Sequence, residues 1–250
     1  MLIYVKNRKV KVIYDDKTIT LPENLKEKIN ENWQIAIKQT PELWNGDIFC
    51  VRQLVENETE IILNCSKTNY AHYLYDERIG CPNEFGNYGL SAGIFFETSD
   101  GYYVIGKLAK TTSFPEGLTI QGGAVDKKDI EKNGIVNIEA TMRREAIEEL
   151  NFDIKNKDQV GNYEIKYISP PTDKIKTYEI IYKGNLKLDL KEVRKHFEKY
   201  YKYLKVNNLE MEYEDVILLK KETALEELKK MKNPKRKYIL DIVESDFIKK

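Results

Sequence analysis

The spacing of apolar and polar residues predicts a chain in which strands and helices alternate. Near the beginning, apolar side chains alternate with charged ones, as in a half-exposed hairpin or a pair of strands, at Leu2, Tyr4, Val10, Val12 and Tyr14. Pro22 then precedes apolar residues at every fourth position from Leu25 to Ile37, which predicts a helix with one apolar face. Further strands are predicted at 48–55, 60–64, 90–96, 102–107, 163–168, 177–182 and 216–219, and further helices at 138–150, 190–204, 223–230 and 237–247.

Three regions follow from this order of elements. Residues 1–87 are predicted to form an α+β extension, residues 88–219 a core, and residues 220–250 two C-terminal helices. Because strands and helices alternate without a strict βαβ repeat, the expected fold is a mixed-sheet α/β or α+β sandwich. The chain has 250 residues, of which 41% are hydrophobic, so it has enough apolar side chains for a substantial core.

The charge balance narrows the classes of partner. The chain has 41 Lys and Arg against 41 Asp and Glu, which argues against a general nucleic-acid-binding protein because counterion release needs a surplus of cations. A local basic patch stays compatible with this total. No apolar run approaches the roughly 18 residues of a membrane span, and charges interrupt the first residues too early for a signal peptide. We therefore expect a cytoplasmic protein that does not bind membranes.

The cysteines and histidines do not form a recognisable metal or disulfide pattern. Cys50, Cys65 and Cys81 are odd in number and contain no Cys-x-x-Cys pair, so we expect small, buried hydrophobic side chains. His72 and His196 lack the spacing of metal ligands, and we expect both to be structural.

The residues best suited to chemistry are acids on the helix predicted at 138–150. Glu145, Glu148 and Glu149 share one edge of that helix, and a divalent cation such as Mg²⁺ would offset their mutual repulsion. Arg144 stands four residues before Glu148 and can orient its carboxylate. Upstream, Gly122-Gly123 at a strand end lets the backbone approach a ligand or a metal. The alternative is a solvated acidic helix face in a chain with 33% charged residues.

The segment from Arg144 to Phe152 resembles the signature of the Nudix hydrolases, G-x5-E-x7-R-E-U-x-E-E-x-G-U, in which U is aliphatic. Its one departure is Asn151 for glycine, and Asn is the residue that best replaces glycine at a left-handed helix end. The preceding segment 115–123 is similar to the family's approach to this motif. The resemblance implies a Nudix-type α/β/α sandwich with a mixed sheet, flanked by the N-terminal α+β extension and the C-terminal helices.

The first half of the signature departs from the family pattern. Asp129 stands at the expected distance from Gly123, but fourteen residues instead of seven separate it from Arg144. Glu131 or Glu139 could take its place in this longer loop. The first acid of the signature is therefore unassigned.

The resemblance implies a metal-dependent enzyme. Mg²⁺ or Mn²⁺ would be held by Glu145, Glu148, Glu149 and the backbone carbonyl of Gly123, with Gly122 beside them. The reaction would be hydrolysis of the diphosphate bond in a nucleoside diphosphate linked to a group X, which yields a nucleoside monophosphate and phosphorylated X.

Other residues outside the signature are candidates for the same reaction. A general base often comes from a later loop in this family, and segment 210–215 offers Glu212 and Glu214, with a solvated loop as the alternative. Lys107 and Lys110 precede the signature, where basic residues of this fold can meet a diphosphate. For each lysine alone, a solvated loop position is the simpler interpretation.

The N-terminal extension indicates the substrate. Its segments 41–46, 49–54 and 68–76 resemble the extension of a Nudix subgroup that hydrolyses UDP-glucose and UDP-galactose, which implies a nucleotide sugar. Trp44 and Tyr70 are alternatively ordinary core or interface aromatics.

Two other functions compete with hydrolysis. A non-catalytic Nudix-fold sensor that binds a nucleotide would explain the altered first half, although it would not need three helix glutamates and Arg144. An isoprenoid diphosphate isomerase would need a catalytic Cys, and none follows residue 88. The apolar faces of the flanking segments are compatible with a homodimer.

Overall fold

A computed structural model describes residues 1–112, 114–172 and 175–248. Its strands are β1 (Ile3–Tyr4), β2 (Lys9–Thr18), β3 (Asp47–Glu56), β4 (Glu60–Asn69), β5 (Gly89–Glu97), β6 (Tyr102–Leu108), β7 (Leu118–Thr119), β8 (Gln121–Ala124), β9 (Val160–Ser169), β10 (Thr177–Leu186) and β11 (Tyr213–Lys220). Its α-helices are α1 (Glu23–Gln39), α2 (Tyr70–Arg78), α3 (Ile138–Leu150), α4 (Leu190–Val206), α5 (Ala224–Lys230) and α6 (Lys237–Ile248).

One mixed sheet of eight strands forms the centre of the fold. The order across it is β1-β9-β10-β5-β6-β11, with β7 beside β6 and β8 beside β5. β10 and β5 are parallel, whereas the other neighbours are antiparallel. Met142 of α3 and Phe197 of α4 pack in one core cluster, and Ile239 and Ile242 of α6 pack in a second one. The predicted α/β sandwich with a mixed sheet is confirmed.

The N-terminal region forms a second, smaller sheet in the order β2-β4-β3. Val12 of β2 and Phe49 of β3 belong to the main core, and α1 packs against α2 through Leu25 and Ile29. β1 does not join this sheet but pairs with β9, so the first apolar positions form a pair of separate strands and not a hairpin. Strand pairing and core packing both cross residue 87, and the division at 87 and 219 stays a prediction.

Helix α2 is not predicted by the sequence pattern. It contains buried polar residues, His72 and Asp76, beside the apolar pair Ala71 and Tyr75, so the apolar pattern is interrupted. The Asn69 side chain caps the helix by accepting a hydrogen bond from the backbone N–H of His72. Local capping and burial of paired polar groups therefore make a helix where hydrophobic spacing gives no signal.

The cysteines and histidines lie mainly in the interior. All three cysteines are free, Cys50 and Cys65 are buried, and Cys81 is partly exposed. The Nδ1 atom of His72 is 2.9 Å from Thr68 Oγ1, and the Nε2 atom of His196 is 3.0 Å from the carbonyl oxygen of Leu150. Both rings are thus bonded within the fold. In the described ranges, no helix is long and apolar enough to cross a membrane.

Candidate active site

Helix α3 carries the acidic cluster and has the bounds predicted from the sequence. The Asn137 side chain caps its first turn by accepting a hydrogen bond from a backbone N–H. Asn151 ends it with φ 56° and ψ 35°, which is the left-handed conformation. Asn151 therefore provides the helix ending that glycine provides in the signature.

The glycines of β8 lie directly against the acids of α3. The backbone N–H of Gly122 donates to Glu149 Oε2 at 2.9 Å. A Cβ atom on Gly123 would lie 2.5 Å from the carboxyl carbon of Glu145, so any larger residue would displace that side chain. Glu148, one helical turn along, projects outward with 62% of its side chain exposed. Two buried carboxyls and one exposed carboxylate thus line the edge of α3 beside β8.

The buried carboxyls lie in an environment that disfavours their charge. Burial raises the pKa of Glu145, and burial followed by the nearby charges of Glu212 and Glu145 raises the pKa of Glu149 well above its usual range. Glu149 Oε1 is buried and has no hydrogen-bond partner among the described residues. The adjacent Tyr213 hydroxyl donates instead to the carbonyl of Ile120 at 2.9 Å.

These residues fit a divalent cation. An unpartnered carboxylate oxygen, a second buried carboxyl and a close glycine backbone form an all-oxygen donor set of the kind that Mg²⁺ and Mn²⁺ take. Burial and, after it, the charges of Glu212 and Glu145 raise the pKa of Glu149, and a bound cation would favour its charged form. Within residues 1–112, 114–172 and 175–248, no group of three or more His, Cys, Asp or Glu side chains is arranged so that it could hold a metal ion.

Arg144 connects three acids. Its guanidinium forms an ion pair with Glu145, lies 3.5 Å from Asp129 Oδ2, and lies 3.9 Å from Glu148 Oε2. Only 5% of the Asp129 side chain is exposed, and it also accepts a hydrogen bond from Thr141 Oγ1 at 2.7 Å. The fixed Asp129 carboxylate therefore holds the Arg144 guanidinium toward the helix acids.

Of the three candidates for the first acid of the signature, only Asp129 has a described contact with Arg144. Glu131 accepts a weak bond from Asn137 at 3.4 Å in an exposed part of the loop. Glu139 lies near Tyr163, whose pKa is raised first by burial and then by this acid. Asp129 is thus the candidate that lies beside Arg144, and its role as the first acid of the signature stays a prediction.

The additional residues of the loop extend to the N-terminal sheet. The backbone N–H of Val136 donates to the carbonyl of Val12 at 2.9 Å, and that of Tyr14 donates to the carbonyl of Gly134 at 2.8 Å. Gly134 has a positive φ of 78°, which favours glycine at this turn. The insertion therefore covers part of the free edge of β2 and joins the extension to the start of α3.

The two candidate bases lie in different environments. Glu212 is close enough to the acids of α3 to raise the pKa of Glu149, and its own pKa is raised by burial, Glu210 and Glu148. Glu214 is 2.5 Å from Lys107 Nζ in an ion pair. The fold brings Glu212 toward the acidic cluster, whereas Glu214 and Lys107 neutralise each other.

A cavity of about 1020 Å³ lies at the end of the sheet where β5 and β10 begin and β8 ends. Gly122 and Gly123 line it on one side, and segment 44–49 of the N-terminal extension lines another. Trp44, which is 81% exposed, and Tyr73 both line the cavity. Tyr70 is not among the lining residues and instead packs edge-on against the Trp33 ring, with centroids 6.2 Å apart.

Two residues missed by the sequence reasoning also line the cavity. Glu179 of β10 accepts a hydrogen bond from the Ser91 hydroxyl, and burial raises its pKa to about 7. Arg236 lies across the cavity wall with its guanidinium 4.6 Å from the centre of the Phe114 ring. The sequence did contain a signal for Glu179, because it is the one charged residue in the apolar strand predicted at 177–182.

Comparisons with known proteins give structural neighbours only. No protein-family model matches the sequence, and no curated protein matches it. Deinococcus radiodurans DR0079 is 18% identical and superimposes with a TM-score of 0.42, over 63% of this chain and 82% of that one. A Nudix hydrolase from Alicyclobacillus acidocaldarius is 12% identical with a TM-score of 0.43, over 63% and 90%. The Nudix domain of Shewanella oneidensis NrtR, solved with ADP-ribose, is 12% identical with a TM-score of 0.42, over 73% and 99%.

Proposed function

We propose that this chain is a Nudix-type hydrolase that uses a divalent cation to cleave the diphosphate bond of a nucleoside diphosphate linked to a group X. The products are a nucleoside monophosphate and phosphorylated X. The observation that carries the proposal is the placement of Glu145 and Glu149 against the glycine backbone of β8. Next to them, Arg144 contacts Asp129. The match of segment 144–152 to the Nudix signature supports it.

Each residue of the cluster has a role in this reaction. Mg²⁺ or Mn²⁺ would be held by the three carboxylates of α3, Glu145, Glu148 and Glu149, and by the carbonyl of Gly123. The cation, when bound, supplies neutralisation of the phosphate oxygens and of the charge on the leaving phosphate. Arg144 orients the carboxylates of Glu145 and Glu148 through its ion pairs with them. Glu212, the candidate base nearer the cluster, is suited to accept a proton from the attacking water.

A nucleotide sugar is the substrate that we propose within this class. A cavity of about 1020 Å³ is large enough for a nucleoside and a further group of similar size. The exposed ring of Trp44 and the nearby Tyr73 offer aromatic faces to a base. Both residues belong to the N-terminal extension, whose sequence resembles that of UDP-sugar hydrolases.

The test is a substrate panel assayed with Mg²⁺ and with Mn²⁺ for release of a nucleoside monophosphate. It includes nucleotide sugars, ADP-ribose, NADH, dinucleoside polyphosphates and nucleoside triphosphates. Glu148→Gln and Glu149→Gln should each lower kcat/KM by about 10²-fold or more, because each removes a cation ligand. Glu131→Gln, in the exposed loop before α3, is the matched control and should retain activity.

Two results would contradict this proposal. Turnover that survives both glutamine substitutions would exclude the assigned metal ligands. Tight nucleotide binding without turnover of any member of the panel would indicate a sensor instead of a hydrolase.

A further inference from the structure

The cavity has two chemically different walls. The wall from the N-terminal extension contributes aromatic side chains, Trp44, Phe49 and Tyr73. Glu179 of β10 and Arg236, the residue before α6, contribute charged side chains to the same cavity. A ligand in the cavity would therefore meet both aromatic and charged groups.

Glu179 is an unusual residue for its position. It lies in a strand between β5 and β9, and its neighbours Ile180 and Ile181 are fully buried. A Cβ atom at position 93 would lie 3.1 Å from Glu179 Oε1. Glycine at this position therefore leaves space for the carboxyl group. Among the described residues, the Ser91 hydroxyl is the hydrogen-bond donor that contacts it. A carboxylate has about four acceptor sites, so most of its capacity is left for groups in the cavity.

Arg236 is held in place by its backbone and by an aromatic ring. Its backbone N–H donates to the carbonyl of Leu118 at 3.1 Å, and the N–H of Leu118 donates to the carbonyl of Pro234 at 2.8 Å. The guanidinium stacks on Phe114, and it is close enough to Glu179 to act on the charge of that carboxyl group. By contrast, Lys127 on another part of the cavity wall is paired with Asp47.

We infer that Glu179 and Arg236 form the subsite for the group X and make the enzyme selective for a polyhydroxylated X, a sugar. This inference rests on the proposed function and assigns the residues that recognise the sugar. Neighbouring hydroxyls of a sugar donate to the two oxygens of a carboxylate, and the sugar oxygens accept from the fixed guanidinium. The aromatic wall is left for the base.

The lining residues suggest one orientation of the ligand. Gly122 and Gly123 line the cavity and contact the acids of α3, so the diphosphate belongs beside them. With the base toward Trp44, the group beyond the second phosphate extends toward β10 and α6. An X that lacks hydroxyls, such as a methyl group, would leave Glu179 with Ser91 as its donor, whereas a hexose would supply further donors.

The test compares ligands that share one nucleoside diphosphate and differ in X: hexose, deoxyhexose, methyl and hydrogen. Binding is measured by calorimetry in Mg²⁺ on the Glu148→Gln protein, and kcat/KM is measured on the protein with Glu148 intact. Glu179→Gln and Arg236→Met should each weaken hexose binding by about 10- to 100-fold, as expected for a lost hydrogen bond to a charged group. Binding of the methyl and hydrogen forms should change less than about 3-fold. Lys232→Met, in the same segment as Arg236 but outside the cavity lining, is the matched control.

The outcomes separate this inference from the proposed function. Selective loss of hexose binding in Glu179→Gln supports the subsite, even if no member of the panel is hydrolysed and the hydrolase proposal fails. Equal weakening for all four ligands, or no weakening for any, would overturn the subsite while hydrolysis by the unmodified protein still stands. Ser91→Ala is a second, milder variant that guards against misfolding, because it removes one hydroxyl, which contacts Glu179 and the carbonyl of Tyr178. It should alter the preference for hexose over methyl and leave the far-ultraviolet circular dichroism spectrum unchanged.

Discussion

Replacing Glu179 with glutamine should change how the stability of the protein depends on pH. Burial holds the pKa of this carboxyl at about 7 in the folded protein, against 4.5 for an ordinary glutamate. Because the folded value is the higher one, the neutral form favours folding. Its contribution to the free energy of unfolding is complete below pH 4.5 and is lost as the pH rises through about 7.

The size of this effect follows from the two pKa values. The interval from 4.5 to about 7 corresponds to about 3 kcal/mol, of which roughly 2.5 kcal/mol falls between pH 5 and pH 8. Water in the cavity screens the carboxylate, so this figure is the upper limit. Glutamine cannot ionise, and Glu179→Gln should therefore gain stability relative to the unsubstituted protein as the pH rises.

Urea unfolding of both proteins in EDTA at pH 5, 6, 7 and 8 measures this difference. The free energy of unfolding of the variant, minus that of the unsubstituted protein, should increase steadily across the series. Glu164→Gln, at an exposed position on β9, controls for the loss of an acid as such. Parallel pH curves for Glu179→Gln and the unsubstituted protein would refute the reasoning, because they would mean that the carboxyl titrates alike when folded and unfolded.

Three further predictions concern the acidic cluster and its surroundings. Gly123→Ala should lower kcat/KM by about 10²-fold without unfolding the protein, because its Cβ would collide with a carboxyl of α3; kinetics and circular dichroism together test this, and full activity would contradict it. Asp129→Asn should lower kcat/KM by about 10- to 100-fold by loosening the arginine of the signature, while Glu131→Gln should not, and equal effects of the two would refute the assignment. Asp153→Asn should cost at most about 1 kcal/mol in urea unfolding at pH 7, because the pair with Arg143 is exposed. The Arg143 side chain lowers the pKa of Asp153 to about 2. The contribution of this pair to the free energy of unfolding is therefore present above pH 3.8 and is lost as the pH falls through about 2. If Asp153→Asn still lowered the free energy of unfolding at pH 2, this reasoning would be contradicted.

The parts of the fold that local sequence determines were predicted well. Helix α3 has the predicted bounds because Asn137 and Asn151 cap it with side-chain and backbone groups close in the chain. The strands around residues 90–107 were also predicted, since apolar runs and an intervening turn are local signals. Helix α2 was missed because its buried residues include polar ones, whose partners cannot be identified from spacing.

Only the part of the candidate site that lies within one helix could be predicted from the sequence. The three glutamates and Arg144 lie within one helix, where spacing fixes their relative positions. The acid that contacts Arg144 could not be chosen from the sequence, because the path of the inserted loop depends on its bonds to β2. Glu179 and Arg236 were not predicted for a similar reason. They are 57 residues apart in the sequence, and the packing of β10 and α6 places both in the lining of one cavity.

The pairing of β1 with β9 has a consequence for the order in which the protein can fold during synthesis. Strands β2, β3 and β4 lie within residues 9–69, so the smaller sheet can form as soon as that segment has left the ribosome. Residues 3 and 4 must wait for residues 167 and 168, and the Tyr4 hydroxyl must wait for its bond to Ser245 Oγ at 2.6 Å. Residues 3 and 4 thus reach their place in the main sheet only after residues 167 and 168 have been made, and this edge of the sheet stays open until then.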